Sequence, residues 1–375
     1  MKYERVYIDA VECALPDEIV TSDELESRLA PLYDRLRLPY GRIELMTGVL
    51  ERGLWARGAL PGDQSVKTVD KLLRTAGVPR EKIGAFVHAS VCRDYQEPAT
   101  ACDVHRRLGL PDECFIFDAS NACLGLLTGA LLVANMIELG QIEAGIVVGT
   151  ETSRALMETT IQELNANESL TRKTIKDAFA SLTIGSGSAA ILLINEKTTR
   201  TGNRLLGGVV RSNTQGSALC RSQVDVTAGG RSDGQTMKTD SEALLHVGVE
   251  LAAQAYDEFP RLFGLGGNEL DAVFCHQVGK AHQKLLFDTL QLDVSKNFAT
   301  LPYLGNTGSV ALPTAAALGI ESGFAQPGSK LGFFGIGSGV NVTLMAIDWQ
   351  TTLASADPTP PEVLRRFLAL NTPNA

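Results

Sequence analysis

Short apolar segments alternating with helical stretches set the frame for this chain: 83–91, 114–120, 144–152, 189–196, 271–278 and 330–337. Runs of this length, rich in Val, Ile, Phe and Ala and without polar alternation, are strands buried on both faces. Interleaved with helices, they predict an α/β protein whose sheet is covered on both sides. A weak internal repeat narrows the choice further. IGSGSAAILLI (184–194) and GIGSGVNVTLMAI (335–347) are each a Gly/Ser turn running into an apolar strand. Two related halves joined near Glu196 to Asn203 follow, and duplicated α/β halves place an active site where they meet. The expected division is 1–198, 199–350 and a tail, 351–375, which has four prolines and one short helical patch and is expected to be surface-bound or partly mobile. The stretch from Glu158 to Lys176 reads as a polar helical insertion.

The 375 residues are long enough for a large core at about 150 residues per domain. With 44% apolar, 21% charged and 6% aromatic residues, the composition excludes disorder, collagen and disulfide scaffolds. A net charge of -9 argues against a nucleic-acid surface. Seven cysteines without a CxxC pair fit a reducing compartment, and the charged, strand-like N-terminus lacks a signal peptide's apolar region, so the expected location is the cytoplasm. The longest apolar run, Cys123 to Gly140, carries Thr128, Asn135 and Glu138. It reads as a buried core helix, so no integral membrane segment is expected.

Cys123, in DASNACLGLLTGALLVANMIELG, stands between a short strand and a helix, the geometry of a nucleophile elbow. A helix N-terminus and its backbone N–H groups favour the thiolate, and those N–H groups can supply half of an oxyanion hole. Free cysteines are more often small buried hydrophobes, the reading kept for the other six. His276, in VFCHQVGKAHQ, ends an apolar strand. His282 follows six residues later, off the spacing of a helical metal site, so no metal is expected. His88, His105 and His246 read as structural or surface residues. Asn306, in LPYLGNTGSVALPTA, lies either in a loop that holds its amide toward a ligand or in an ordinary Asn-Thr-Gly turn. Glu97, in SVCRDYQEPATA, precedes a helix and by itself is compatible with a dipole-stabilising carboxylate. GIGSG at 335–339 lacks the GxGxxG spacing and enters a strand, so no nicotinamide site is expected.

Together these segments resemble the thiolase-fold condensing enzymes of the ketoacyl-acyl-carrier-protein synthase III group, over residues 3 to 348. DASNACLG looks like the nucleophile segment, HQVGKAH the histidine segment, GNTGSVALP the asparagine segment and GIGSG the C-terminal glycine loop. The resemblance implies a thiolase-like fold of two pseudo-repeated halves in α-β-α-β-α layers. It also implies a triad of Cys123, His276 and Asn306, an oxyanion hole shared by the N–H groups of Cys123 and Ser338, and a homodimer. SVCRDYQEPATA is similar to a loop of the head-to-head acyl-CoA condensing enzymes of olefin biosynthesis, with a glutamate 26 positions before the nucleophile, as Glu97 is here. In that subgroup the glutamate is a base that reaches the partner's site.

The Trp and Arg that clamp the coenzyme A adenine in ordinary synthase III enzymes fall where this chain has Arg42 and Met46. Arg28, Arg35, Arg37, Arg42, Arg52 and Arg57 make the N-terminal region basic. They are either a surface for coenzyme A phosphates or an acidic carrier protein, or a solvated face. The expected reaction is a non-decarboxylative Claisen condensation of two acyl-CoA or acyl-carrier-protein thioesters, giving a 3-oxoacyl product released as a 2-alkyl-3-oxo acid, without a cofactor. The alternatives are decarboxylative condensation with a malonyl thioester, and a non-catalytic acyl-binding subunit.

Overall fold

The computed structural model describes residues 1–226 and 232–372. Its main sheet has nine strands: β1 (Val6–Ala14), β2 (Ile83–His88), β3 (Phe115–Asp118), β4 (Ala144–Glu151), β5 (Gly187–Asn195), β6 (Arg204–Ser212), β7 (Ala272–Cys275), β8 (Lys330–Gly337) and β9 (Asn341–Asp348). They lie in the order β7-β8-β9-β6-β1-β5-β4-β2-β3. The centre of that order is thin, because β1 and β6 share one residue pair, Tyr7 with Arg204.

Outward from this seam the two sides follow one plan. On one side β1 and β5, then β5 and β4, pair antiparallel, and β4-β2 and β2-β3 pair parallel. On the other, β6-β9 and β9-β8 are antiparallel and β8-β7 is parallel. The last place is taken by a parallel bridge from Val273 to Asn297, where the first side has all of β3.

Successive strand residues face opposite layers, which explains why the strands read as continuous apolar runs. Val147, Ile191, Phe333 and Met345 point inward, to helices α3 (Gly125–Glu138) and α6 (Ala311–Glu321). Ile146, Val148 and Leu192 point outward to α1 (Pro61–Ala76) and α2 (Thr100–Leu108). Phe334, Val342 and Leu344 face α4 (Ser241–Tyr256) and α5 (Lys280–Leu290). The layers are therefore helix, sheet, helix, sheet, helix. The central pair α3 and α6 is apolar nearly all round because it is enclosed by both sides.

The stretch expected as a polar insertion contributes two packed helices, Arg154–Ala166 and Lys176–Leu182, which bury Met157, Ile161, Leu164 and Phe179 against Leu25, Leu29 and Leu32. This cap covers one end of the sheet. The tail is likewise packed. Helix α7 (Pro361–Asn371) buries Phe367 beside Phe298 and Tyr303, with ring centroids 6.4 and 5.8 Å apart, and Arg366 pairs with Glu51. Truncating a buried Phe to Ala costs about 3–5 kcal/mol. Phe367→Ala is therefore expected to release the tail, so that limited proteolysis cuts between Gln350 and Pro361 while the core stays intact; resistance equal to wild type would contradict this packing.

Candidate active site

Cys123 is placed by a tight turn between β3 and α3. Ala122 has φ +47, and the Leu124 N–H donates to the Asn121 carbonyl at 2.9 Å. The next residue must be glycine, since a Cβ on Gly125 would lie 2.7 Å from the Ala89 carbonyl oxygen. The turn is tied to the other side of the molecule through Asn341, whose Nδ2 donates to Asn121 Oδ1 at 3.0 Å.

The Gly/Ser turn after β8 reaches Cys123. A Cβ on Gly337 would lie 3.6 Å from both the nitrogen and Cβ of Cys123. Packing around the sulfur pushes the thiol up to about 12, with further increases from the charge of Glu151 and from Cys220; the N–H groups of Cys123 and Ser338 act in the opposite direction. The expected preference for thiolate at a helix start is thus opposed by burial.

His276 follows β7 directly, and its N–H donates to the Phe334 carbonyl at 3.2 Å, on the strand that leads to Ser338. It is 4% exposed, and neither ring nitrogen has a partner among the described residues. Burial, then His282, hold its pKa down at about 3, so the imidazole is neutral. Gln277 braces the adjoining loop: Oε1 accepts from the N–H groups of Thr300 and Leu301, and Nε2 donates to Phe298 O. Behind His276 lies a 290 Å³ cavity bordered by His282, Asn297 and Leu370 of α7.

Asn306 is held by the other Gly/Ser turn. Its N–H donates to Thr183 O at 2.8 Å, and its carbonyl accepts from Gly185 at 2.9 Å. A Cβ on Gly185 would lie 2.0 Å from the Leu304 carbonyl oxygen, so only glycine permits this approach. Asn306 Oδ1 accepts from Gly308, which leaves the amide Nδ2 to face a ligand. The turn predicted for Asn-Thr-Gly and the presentation of its amide are the same structure.

The turn at Gly337 and Ser338 is thus brought to Cys123, His276 lies against the strand that leads to that turn, and Asn306 is held by the Gly/Ser turn before β5. Glu97 differs from them in exposure. It is exposed in a loop beside β3, the edge strand on which Phe115 is 58% exposed. Glu151 was not singled out by sequence reasoning. A glutamate ending a strand buried throughout was its one signal, and the structure buries it next to Cys123.

The basic N-terminal region is largely occupied by internal contacts. Arg52 is fully buried and donates to Val20 O, Ser22 Oγ and Leu182 O. Arg35 caps carbonyls of Leu164, Asn165 and Asn167, and Arg57 pairs with Glu158. Arg42 lies over the Phe179 ring, and Met46 is exposed. Among the described residues no group of His, Cys, Asp and Glu could hold a metal, and no helix is long and apolar enough to cross a membrane.

A sequence profile for the C-terminal domain of 3-oxoacyl-[acyl-carrier-protein] synthase III matches residues 263–349. An acyl-CoA:acyl-CoA alkyltransferase of Shewanella oneidensis is 39% identical, covering 93% of this chain and all of that one. Its namesake from Xanthomonas campestris is 32% identical over 88% of this chain and 94% of its own length. Crystal structures of Xanthomonas campestris OleA superpose with a TM-score of 0.86 at 31% identity, covering 93% of this chain and 98% of that one, and one holds lauric acid and lauroyl-CoA. Those structures include variants of a glutamate, a cysteine and a histidine; the glutamate and the cysteine stand 26 positions apart, as do Glu97 and Cys123.

His88, His276 and His282 are held at about 4, 3 and 4, each chiefly by burial, against about 6.5 for an unfolded histidine. Above pH 6.5 both states are neutral and nothing is lost. Below it the unfolded chain takes up protons that the native state refuses, so stability falls toward pH 3–4, by up to about 1.4 kcal/mol per group per pH unit. Urea midpoints are expected to decline between pH 6.5 and 5, before the carboxylates titrate; a flat profile there would contradict the buried neutral histidines.

Proposed function

Because the chain belongs to the acyl-CoA:acyl-CoA alkyltransferase family of thiolase-fold enzymes, we propose that it joins two fatty acyl thioesters head to head without decarboxylation. The observation that carries this reading is the approach of the Gly337–Ser338 turn to Cys123. In the first step Cys123 attacks the thioester carbonyl of one acyl-CoA, its proton passes to neutral His276, and coenzyme A leaves as the thiol. The N–H groups of Cys123 and Ser338 hold the oxyanion, a contribution of about 10²–10³ in rate per donor.

In the second step a base removes the α-proton of another acyl thioester. The resulting enolate, its oxygen held by His276 and Asn306 Nδ2, attacks the acyl-cysteine carbonyl and expels the Cys123 thiolate. The product is a 2-alkyl-3-oxoacyl thioester, which water hydrolyses to the acid. Glu97 is the assigned base, supported by its shared separation from the cysteine; a positioned base contributes about 10²–10⁴. Its exposure supports a role in the site of a partner subunit, and a homodimer formed through the bare edge of β3 would cover the exposed Phe115, Val91 and Tyr95. The free cysteines support a cytoplasmic location.

Pure protein given one long saturated acyl-CoA is expected to yield a β-keto acid, or its decarboxylated ketone, by mass spectrometry. Glu97→Ala is expected to abolish this product while Cys123 still becomes acylated. Condensation only on addition of malonyl-CoA would instead assign decarboxylative elongation. Sedimentation is expected to show a dimer, and a stable, active monomer would overturn the proposed placement of Glu97.

A further inference from the structure

Glu151 closes β4 with its side chain turned inward, and it is 6% exposed. Four donors converge on its carboxylate. The N–H groups of Val91 and Cys92 donate to Oε1 at 3.0 Å and Oε2 at 3.2 Å. Ser309 donates to Oε1 from its backbone at 3.3 Å and from Oγ at 2.5 Å. A carboxylate bonded this way fixes two separate segments relative to each other, because moving either leaves a buried polar atom without its partner.

Both segments lead to residues given roles above. Val91 and Cys92 are the root of the loop that carries Glu97; its far end is fastened by Asp118, whose carboxylate accepts from the N–H groups of Thr100 and Ala101. Ser309 stands three residues after Asn306. Between them Gly308, at φ +58, lies flat on Glu151: a Cβ there would meet its Cγ, Cδ and Oε1 at 3.2–3.3 Å. The Gly308 N–H in turn holds Asn306 Oδ1. The same turn touches the nucleophile helix, since Ser309 Cβ lies 3.6 Å from where a Cβ on Gly125 would be.

We infer that Glu151 is a positioning residue for carbon–carbon bond formation, its carboxylate setting the Asn306 amide and the root of the Glu97 loop against one another. This inference rests on the roles proposed above for Asn306 and Glu97. It separates the two steps of the reaction. Acylation of Cys123 draws on the N–H groups of Cys123 and Ser338 and on His276, none of which Glu151 holds. Enolate formation and attack need the two residues that it does hold. Glu151 also touches the chemistry electrostatically, as the charge that, with Cys220, opposes ionisation of Cys123.

The test compares Glu151→Gln and Ser309→Ala with wild type. Acylation is followed by intact-protein mass after addition of one long acyl-CoA, and condensation by mass spectrometry of the product. A misplacement of about 1 Å costs on the order of 10²-fold, so Glu151→Gln is expected to slow condensation by about 10- to 100-fold while acylation is not slowed. Ser309→Ala keeps the carboxylate and is expected to show the same split with a smaller loss. The pH midpoint for alkylation of Cys123 is expected to fall in Glu151→Gln and to stay in Ser309→Ala, a readout that a merely structural role would not move. If Glu151→Gln fails to fold, Ser309→Ala decides.

Acylation and condensation falling together, or condensation at the wild-type rate, overturns the inference. If wild type itself makes no product from acyl-CoA alone, the reaction assignment fails; the same variants are then compared in malonyl-dependent condensation, where the loss must again fall on the condensing step.

Discussion

The site depends on a crossed pair of contacts. Each side of the molecule ends in a Gly/Ser turn before its last strand, and each turn serves a reactive segment of the opposite side. The turn before β9 brings Ser338 to Cys123, and the turn before β5 binds the backbone of Asn306 through Thr183 and Gly185. The approaches are close enough that a side chain on Gly185 would strike backbone. Since β1 and β6 share a single residue pair, these turns and the enclosed helices α3 and α6 carry much of the registration between the sides.

Burial decides the resting electrostatics. The same enclosure that raises the Cys123 thiol keeps His276 neutral, so the resting pair is thiol and imidazole rather than thiolate and imidazolium. In the proposed reaction, proton transfer then accompanies attack on the thioester, and the N–H donors act on the oxyanion as it develops. An imidazole that begins neutral can accept the thiol proton in one step and donate a hydrogen bond to the enolate oxygen in the next. Glu151 adds a constraint of another kind. It is a buried carboxylate whose hydrogen bonds organise residues on either side of it, at the cost of a negative charge near the nucleophile.

Most of the strands read from the sequence were legible because both faces are buried, and KLGFFGIG coincides with β8 from end to end; β3 is only half-buried, and β6, with exposed positions, was not read. Cys123, His276 and Asn306 stood out because each lies where an apolar segment gives way to a turn. The helices at 154–182 were less legible: their polar residues dominate the pattern, and the apolar side of Met157, Ile161 and Leu164 has meaning only against Leu25 and Leu32, more than 120 positions away. The tail is surface-bound, as one of its two expected forms; the place of its anchor was not legible, since one Phe among prolines does not announce the aromatic group that receives it.

By itself the sequence determined the alternation of strands and helices, the repeat of closing turns and the residue types available for thioester chemistry, because these follow from local pattern and the reach of a few residues. Only the tertiary structure decided which of those residues meet. Arg52, counted as basic surface, is fully buried, and Arg35, still exposed, fastens carbonyls of Leu164, Asn165 and Asn167; Glu97 is exposed; and Glu151, unremarkable as the last letter of a strand, acquired four donors. The physical reason is that hydrogen-bond partners, burial and the pKa of a group are properties of the atoms packed around it, and those atoms come from parts of the chain that no local pattern connects.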